Sequence, residues 1–144
     1  MCNYLREDFE PIPENGTGWK LFEVKNGNLT APYHESKYQV NEEGFACFSK
    51  ENITFRMSDL SSVRASFYDF IENRVGFCLF TDKKTAQKAK KLWLRLNYHQ
   101  NLVVLQVQYR KGLGKQIEEG MFGKRFPVYT AIVKEFKPIK GWIV

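Results

Sequence analysis

At 144 residues, with 43% hydrophobic and 15% aromatic side chains, the chain has the size and apolar content of one folded domain. That excludes a disordered tail and a scaffold that depends on disulfides or a metal for its core. No run approaches the roughly 18 apolar residues of a membrane helix. Met1-Cys2-Asn3-Tyr4-Leu5-Arg6-Glu7-Asp8 also lacks the basic-then-apolar order of a secretion signal, so the expectation is a soluble cytoplasmic protein with no membrane partner. The formal charge of +6 is unevenly spread: residues 1–80 hold eight Lys/Arg and twelve Asp/Glu (net −4), whereas residues 81–144 hold fourteen and four (net +10). Such a split points to one face that seeks an acidic partner, unless folding interleaves the halves.

In chain order, residues 1–18 read as an irregular N-terminal segment, since Pro11 and Pro13 interrupt any ladder and Glu14-Asn15-Gly16-Thr17-Gly18 is turn chemistry. A first strand is predicted over 19–24. Asn26-Gly27 is a hairpin signal, because both positions accept positive φ, and Leu29-Thr30 begins the return before Pro32. Residues 33–39 read as a loop. A short apolar strand is predicted over 45–48, an alternating one over 53–57, and a helix over roughly 59–72 capped by Ser58. A further buried strand is expected over 75–80, after which Thr81 or Asp82 caps a helix over 83–96.

At about 100° per residue, that second helix gathers Lys84, Lys88, Lys91 and Arg95 on one stripe, with Thr85, Ala89, Leu92, Trp93 and Leu96 on the other side. A strand follows over 102–109, with Val103, Leu105, Val107 and Tyr109 on one face and Gln106 and Gln108 on the other. Residues 110–127, rich in glycine and charge, read as a long basic loop carrying Arg110, Lys111, Lys115, Lys124 and Arg125. A last strand is predicted over 128–136, limited by Pro138, and Trp142 is expected to dock on the body. Gly44-Phe45-Ala46-Cys47-Phe48-Ser49 and Gly76-Phe77-Cys78-Leu79-Phe80-Thr81 echo one another, as two short strands entering the same sheet edge would. The sum is a single-domain α+β fold: a mostly antiparallel sheet of about five or six strands packed against two amphipathic helices.

Few motifs carry chemistry. Gly112-Leu113-Gly114-Lys115 follows a strand, but a nucleotide-binding glycine loop is longer and continues Lys-Ser/Thr, whereas Gln116 stands here. Glu118-Glu119 could support acid–base work only if their surroundings split their pKa values. An NAD-dependent ADP-ribosyl transferase would set such a glutamate against an aromatic strand residue such as Tyr109, yet the matching histidine, or arginine with a Ser-Thr-Ser pattern, is missing. His34 and His99 lie beside no nucleophile signature, and Cys2, Cys47 and Cys78 have no metal-ligand spacing. No cofactor, metal or catalytic residue is therefore predicted. The basic stripe has a bland reading as a solvated helix face. Its sharper reading is a phosphate- or acid-contacting surface made by Lys84, Lys88, Lys91, Arg95, Arg110, Lys111, Lys115, Lys124 and Arg125, with Tyr4, Tyr33, Tyr38 and Tyr98 as candidate stacking partners. Lysine supplies point charge rather than bidentate base reading, so nucleic-acid binding through this face would be weakly sequence-specific. The acidic half, with Glu42, Glu43 and Glu51, offers the opposite possibility, mimicry of nucleic acid toward a basic effector.

Gly18-Trp19-Lys20-Leu21-Phe22, the later Gly76-Phe77-Cys78-Leu79-Phe80 leading to a helix with Ala86, and a terminal strand with Ala131 and Lys137-Pro138-Ile139 resemble small uncharacterised proteins of bacteriophages and mobile elements. The likeness departs over residues 51–74. It implies a compact accessory protein of the bacterial host cytoplasm, of the anti-defence class that includes anti-CRISPR proteins. Such a protein occludes a host protein or ribonucleoprotein complex and contacts its nucleic acid in some cases. No functional residue of that class carries over, because its members share no motif. The expected function is a non-enzymatic inhibitor that occludes a bacterial defence effector. The alternatives are a direct nucleic-acid binder and a small NAD- or nucleotide-using transferase.

Overall fold

The computed structural model of the chain describes residues 4–32, 37–47, 72–96, 100–118 and 128–144. Its elements are β1 (Gly16–Lys25), β2 (Asn28–Thr30), β3 (Ala46–Cys47), β4 (Phe77–Phe80), α1 (Lys83–Leu96), β5 (Leu102–Glu118) and β6 (Val128–Pro138). The β1–β2 hairpin forms where the sequence signals it: Asn26 and Gly27 both take positive φ, 52° and 77°, and Lys25 pairs with Asn28. The strand expected over 53–57 and nearly all of the helix expected over 59–72 lie outside the described residues; 72–74 are helical.

All pairings are antiparallel, and they form one six-stranded sheet. β5 is its diagonal. Its first half pairs with β1, from Leu102 opposite Glu23 to Tyr109 opposite Gly16. Its second half pairs with β6, from Val107 opposite Pro138 to Glu118 opposite Val128. β6 pairs in turn with β4, and β4 returns to β1 through Trp19 and Phe80. The path β1–β5–β6–β4–β1 therefore closes into a ring. Because β5 occupies one edge of β6 throughout, β3 and β4 share the other, Ala46 opposite Phe136 and Phe77 opposite Val133. The echo between their sequences reflects this shared edge.

Two expectations are corrected. Residues 110–118, read as the start of a long basic loop, are strand; residues 119–127 lie outside the described residues. The strand continues because its glycines are required by close packing. A Cβ at Gly112 would stand 2.6 Å from the Pro13 carbonyl oxygen, and one at Gly114 2.5 Å from the Phe9 ring. The irregular segment expected over 1–18 is corrected at its end: 16–18 belong to β1, whereas 4–15 form no regular strand and meet β5 at an isolated bridge, where Glu10 and Lys115 exchange both backbone hydrogen bonds at 2.8 Å. The prolines fit because this stretch bonds to β5 only at intervals.

The two faces of the sheet bury different cores. Outside the ring, Leu21, Phe80, Leu102 and Val128 pack against Ala86 and Ala89 of α1, with Trp19, Trp93, Leu94 and Val104 around them. The small side chains of Ala86 and Ala89, both fully buried, let the helix lie close on the sheet. Inside the ring lie Phe22, Leu79, Val107, Tyr109, Ala131, Val133 and Phe136, closed by Tyr38 and Trp142. The Trp142 ring packs on Phe22 and Phe136, and its indole N–H donates to the Gly44 carbonyl at 2.7 Å, so the tail docks as its composition implied. Among the described residues, no helix is long and apolar enough to cross a membrane.

Candidate binding face

The helix of the basic stripe spans Lys83–Leu96, as its periodicity predicts. Asp82 caps it, its carboxylate accepting from the Thr85 backbone N–H and from the Thr85 hydroxyl, both at 2.8 Å. With Ala86 and Ala89 turned into the core, the opposite side of α1 points outward, and Lys84, Lys88, Lys91 and Arg95 are all exposed. At 1.5 Å per residue, the row runs about 16 Å along the axis. Lys83, Lys84, Gln87, Lys88 and Lys91 border a shallow recess of about 500 Å³. Lys83 leans away from the row, its ammonium 5.3 Å from the centre of the Trp19 ring. Among the described residues, no carboxylate forms an ion pair with Lys84, Lys91 or Arg95.

Two of these lysines sit where they do not help the helix. The N-terminal end of a helix carries partial positive charge, which favours acids; Lys83 and Lys84 occupy it, and the first turn holds no acid beyond the cap. The row therefore begins where the backbone field adds to its own. Arg95 in the last turn has the favourable placement.

The other predicted cations have a different environment. Arg110 lies on β5, and its guanidinium reaches Glu135 through Nε at 2.8 Å and Nη2 at 2.6 Å, reaches Glu43 through Nη1, and stacks 3.9 Å over the Phe45 ring. Lys111 takes the other Glu135 oxygen at 3.1 Å, from a backbone in the left-handed region (φ 56°) beside the bulge in β5. Burial pushes the Glu135 carboxyl up, but the hydrogen bonds and charges of Lys111 and Arg110 outweigh it and hold the group below its usual range. Lys115 lies 3.5 Å from Glu10. The structure thus gathers Arg110, Lys111 and Lys115 with acids from the first half of the chain and from β6, away from the row on α1. Lys124 and Arg125 lie outside the described residues.

Of the candidate stacking residues, Tyr38 is part of the ring interior and Tyr4 is half-exposed, while Tyr33 and Tyr98 lie outside the described residues, with His34 and His99. Tyr109 is buried, and its hydroxyl donates to the Pro13 carbonyl at 3.1 Å, which occupies the ring that a transferase would need. Glu118 stands opposite Val128 in the sheet, and Glu119 lies outside the described residues. Cys47 and Cys78 form no disulfide among the described residues. Among the described residues, no group of His, Cys, Asp and Glu could hold a metal ion.

A buried charge was overlooked at the sequence level. Lys20 of β1 points into the ring, donates to the Cys78 carbonyl at 3.0 Å, and lies 5.2 Å from the Phe136 ring centre and 6.0 Å from that of Tyr38. Burial pushes its amine from 10.5 down to about 8, with Cys78 acting weakly in the other direction. In Trp19-Lys20-Leu21-Phe22, hydrophobic residues fall on both faces, so alternation does not mark Lys20 as inward. No family model, curated protein or solved structure matches the chain.

Proposed function

We propose that this is a non-enzymatic binding protein that docks the outer face of α1 against a polyanionic surface. In line with the resemblance to phage and mobile-element proteins, we take its role to be occlusion of a bacterial defence effector. The observation that carries the reading is the exposed row Lys84, Lys88, Lys91 and Arg95 on a helix anchored by two buried alanines. The helix backbone that carries the row is ordered before binding, so only the side chains lose conformational freedom. Placing lysines against the helix dipole also weakens the fold locally, which is the pattern of residues kept for a partner rather than for stability.

Direct phosphate binding is the second reading, and the regular spacing of the row favours it. Neutralising about four phosphates would give a slope of log K against log salt of about −3 to −4. A pull-down of the tagged protein from bacterial lysate, with and without nuclease and at low and high salt, separates the two. A discrete protein retained after nuclease treatment and lost with Lys84→Glu/Lys88→Glu/Lys91→Glu supports occlusion. Nucleic acid released by salt supports the second reading. A partner retained by the triple variant removes α1 from the interface.

A further inference from the structure

The outer face of α1 carries a pattern as well as a charge. Lys84, Lys88, Lys91 and Arg95 follow one another at steps of four, three and four residues, and all are exposed. From the first to the last, the helix completes three turns with about 20° left over, so the row runs straight along the axis. Its cations stand about 6, 4.5 and 6 Å apart along that axis. The row is also one cation wide. Gln87 borders it on one side and Leu92 on the other, both uncharged and half-buried. Lys83 turns to Trp19, and Lys90 is half-buried about a third of a turn away. Among the described residues, Leu92 belongs to no hydrophobic core cluster, so an apolar side chain is left beside the row.

Regular spacing suits phosphates and carboxylates alike; charge density and width separate them. Along about 16 Å a DNA duplex displays about ten phosphate charges, on two strands that wind around its axis, against four in-line cations here. The described cations that could widen the field, Arg110, Lys111 and Lys115, are held by Glu43, Glu135 and Glu10. A single strand stacks its bases on exposed rings, and the exposed aromatic side chains among the described residues stand on other elements. Tyr4 bridges Val75, Phe9 lies against Gly114, and Tyr129 projects from the face of β6 opposite Val128, which packs under α1. An acidic β-strand places its same-face carboxylates about 6.7 Å apart, so by the fourth it has slipped about 4 Å from the row. An acidic helix with carboxylates at the same four-three-four steps matches the row position for position.

We infer that the partner surface is an acidic α-helix laid lengthwise on α1, its Asp or Glu side chains at four-three-four spacing facing Lys84, Lys88, Lys91 and Arg95. This partner presupposes that α1 is the docking face and adds the chemistry of what docks there. Two helices side by side share one rise per residue, so such a ladder stays in register from end to end. The lysine stems and Leu92 then cover the partner's apolar flank while the ammonium groups reach the carboxylates at the rim. Charge pairing of this kind sets register and partner choice between helices even where each exposed pair adds little affinity.

Fluorescence anisotropy with the full chain, at about 0.1 M salt, tests this against three labelled probes. They are a helical peptide with Glu at four-three-four spacing, an isomer of equal composition and helicity with its Glu spread around the helix, and a DNA duplex of about 20 base pairs. The first peptide is expected to bind about tenfold tighter than its isomer, and tighter than the duplex. Lys84→Glu/Lys91→Glu should abolish the difference between the peptides, and a peptide with Lys in place of the Glu row should bind that variant better than the wild type. Equal binding of the two peptides, lost in the variant, overturns the acidic helix while leaving α1 as a polyanion-docking face. Preference for the duplex overturns it in favour of phosphate. No binding of any probe, or a peptide preference that survives in the variant, overturns the acidic helix and the docking face together. The comparison of the two peptides on the wild type decides even if the variant fails to fold.

Discussion

Two clusters of cations, alike in sequence, have opposite fates in this molecule. On α1, Lys84, Lys91 and Arg95 face solvent without a carboxylate partner among the described residues. On β5, Arg110, Lys111 and Lys115 are tied to Glu43, Glu135 and Glu10. A helix lying on the outside of a sheet must show one face to solvent, whereas a strand in the middle of a sheet brings distant segments to both its edges. Glu10 and Glu43 arrive that way, and they cancel part of the charge split between the halves of the chain. Cationic composition therefore marks a binding surface only where the topology leaves the charges without acids.

The largest effect should separate the clusters outright. Lys84→Glu/Lys88→Glu/Lys91→Glu is expected to weaken partner or polyanion binding at least 100-fold at 0.1 M salt, measured by fluorescence anisotropy, with the melting temperature held within about 2 °C. Lys111→Ala/Lys115→Ala should leave binding within about twofold; an equal loss in both variants would erase the distinction. Glu135→Gln should do the reverse, leaving binding intact and lowering the melting temperature by about 5 °C at pH 7. Because the Glu135 carboxyl is held below its usual range, its stabilisation is present above the unfolded pKa and lost as pH falls through the folded one. The variant should accordingly lose part of the acid limb of a stability-against-pH curve.

Lys20→Met tests a third kind of cation, one with neither solvent nor acid. Removing a buried charge while losing one hydrogen bond should raise stability by about 1.5 kcal/mol at pH 7 in urea unfolding. That advantage should shrink as pH rises from 8 to 10.5, where the wild-type amine is neutral in the fold. The smallest effect is expected at the cap that orients the row: Asp82→Ala should lower stability by about 1 kcal/mol by the same assay, and a larger loss would mean that α1 depends on its cap more than on its buried alanines.

Sequence patterns revealed the local devices and missed the long-range ones. The bounds of α1 were legible because the 3.6 period, the Asp82 cap and a solvated face all act within one segment. The Asn26-Gly27 turn was legible for the same reason. The extension of β5 to Glu118 was not, because the glycines that read as loop are there for Pro13 and Phe9, about a hundred residues away. Nor could the fate of Arg110 be read, since Glu43 and Glu135 become its partners only when the segment 37–47 and β6 converge. Lys20 was hidden by a strand apolar on both sides, one face covered by α1 and the other closed inside the ring.

The shared edge of β6 has a bearing on how such a chain can change over time. Cys47 stands opposite Glu135 and Phe77 opposite Val133, so the polypeptide leaves this edge and rejoins it only two positions farther along, about 7 Å. An excursion with its two ends so close can be lengthened, shortened or replaced at a closure penalty that grows only logarithmically. The pairing of β3 and β4 on β6 fixes both ends of this excursion, so a change of length between them would leave the ring of strands in place.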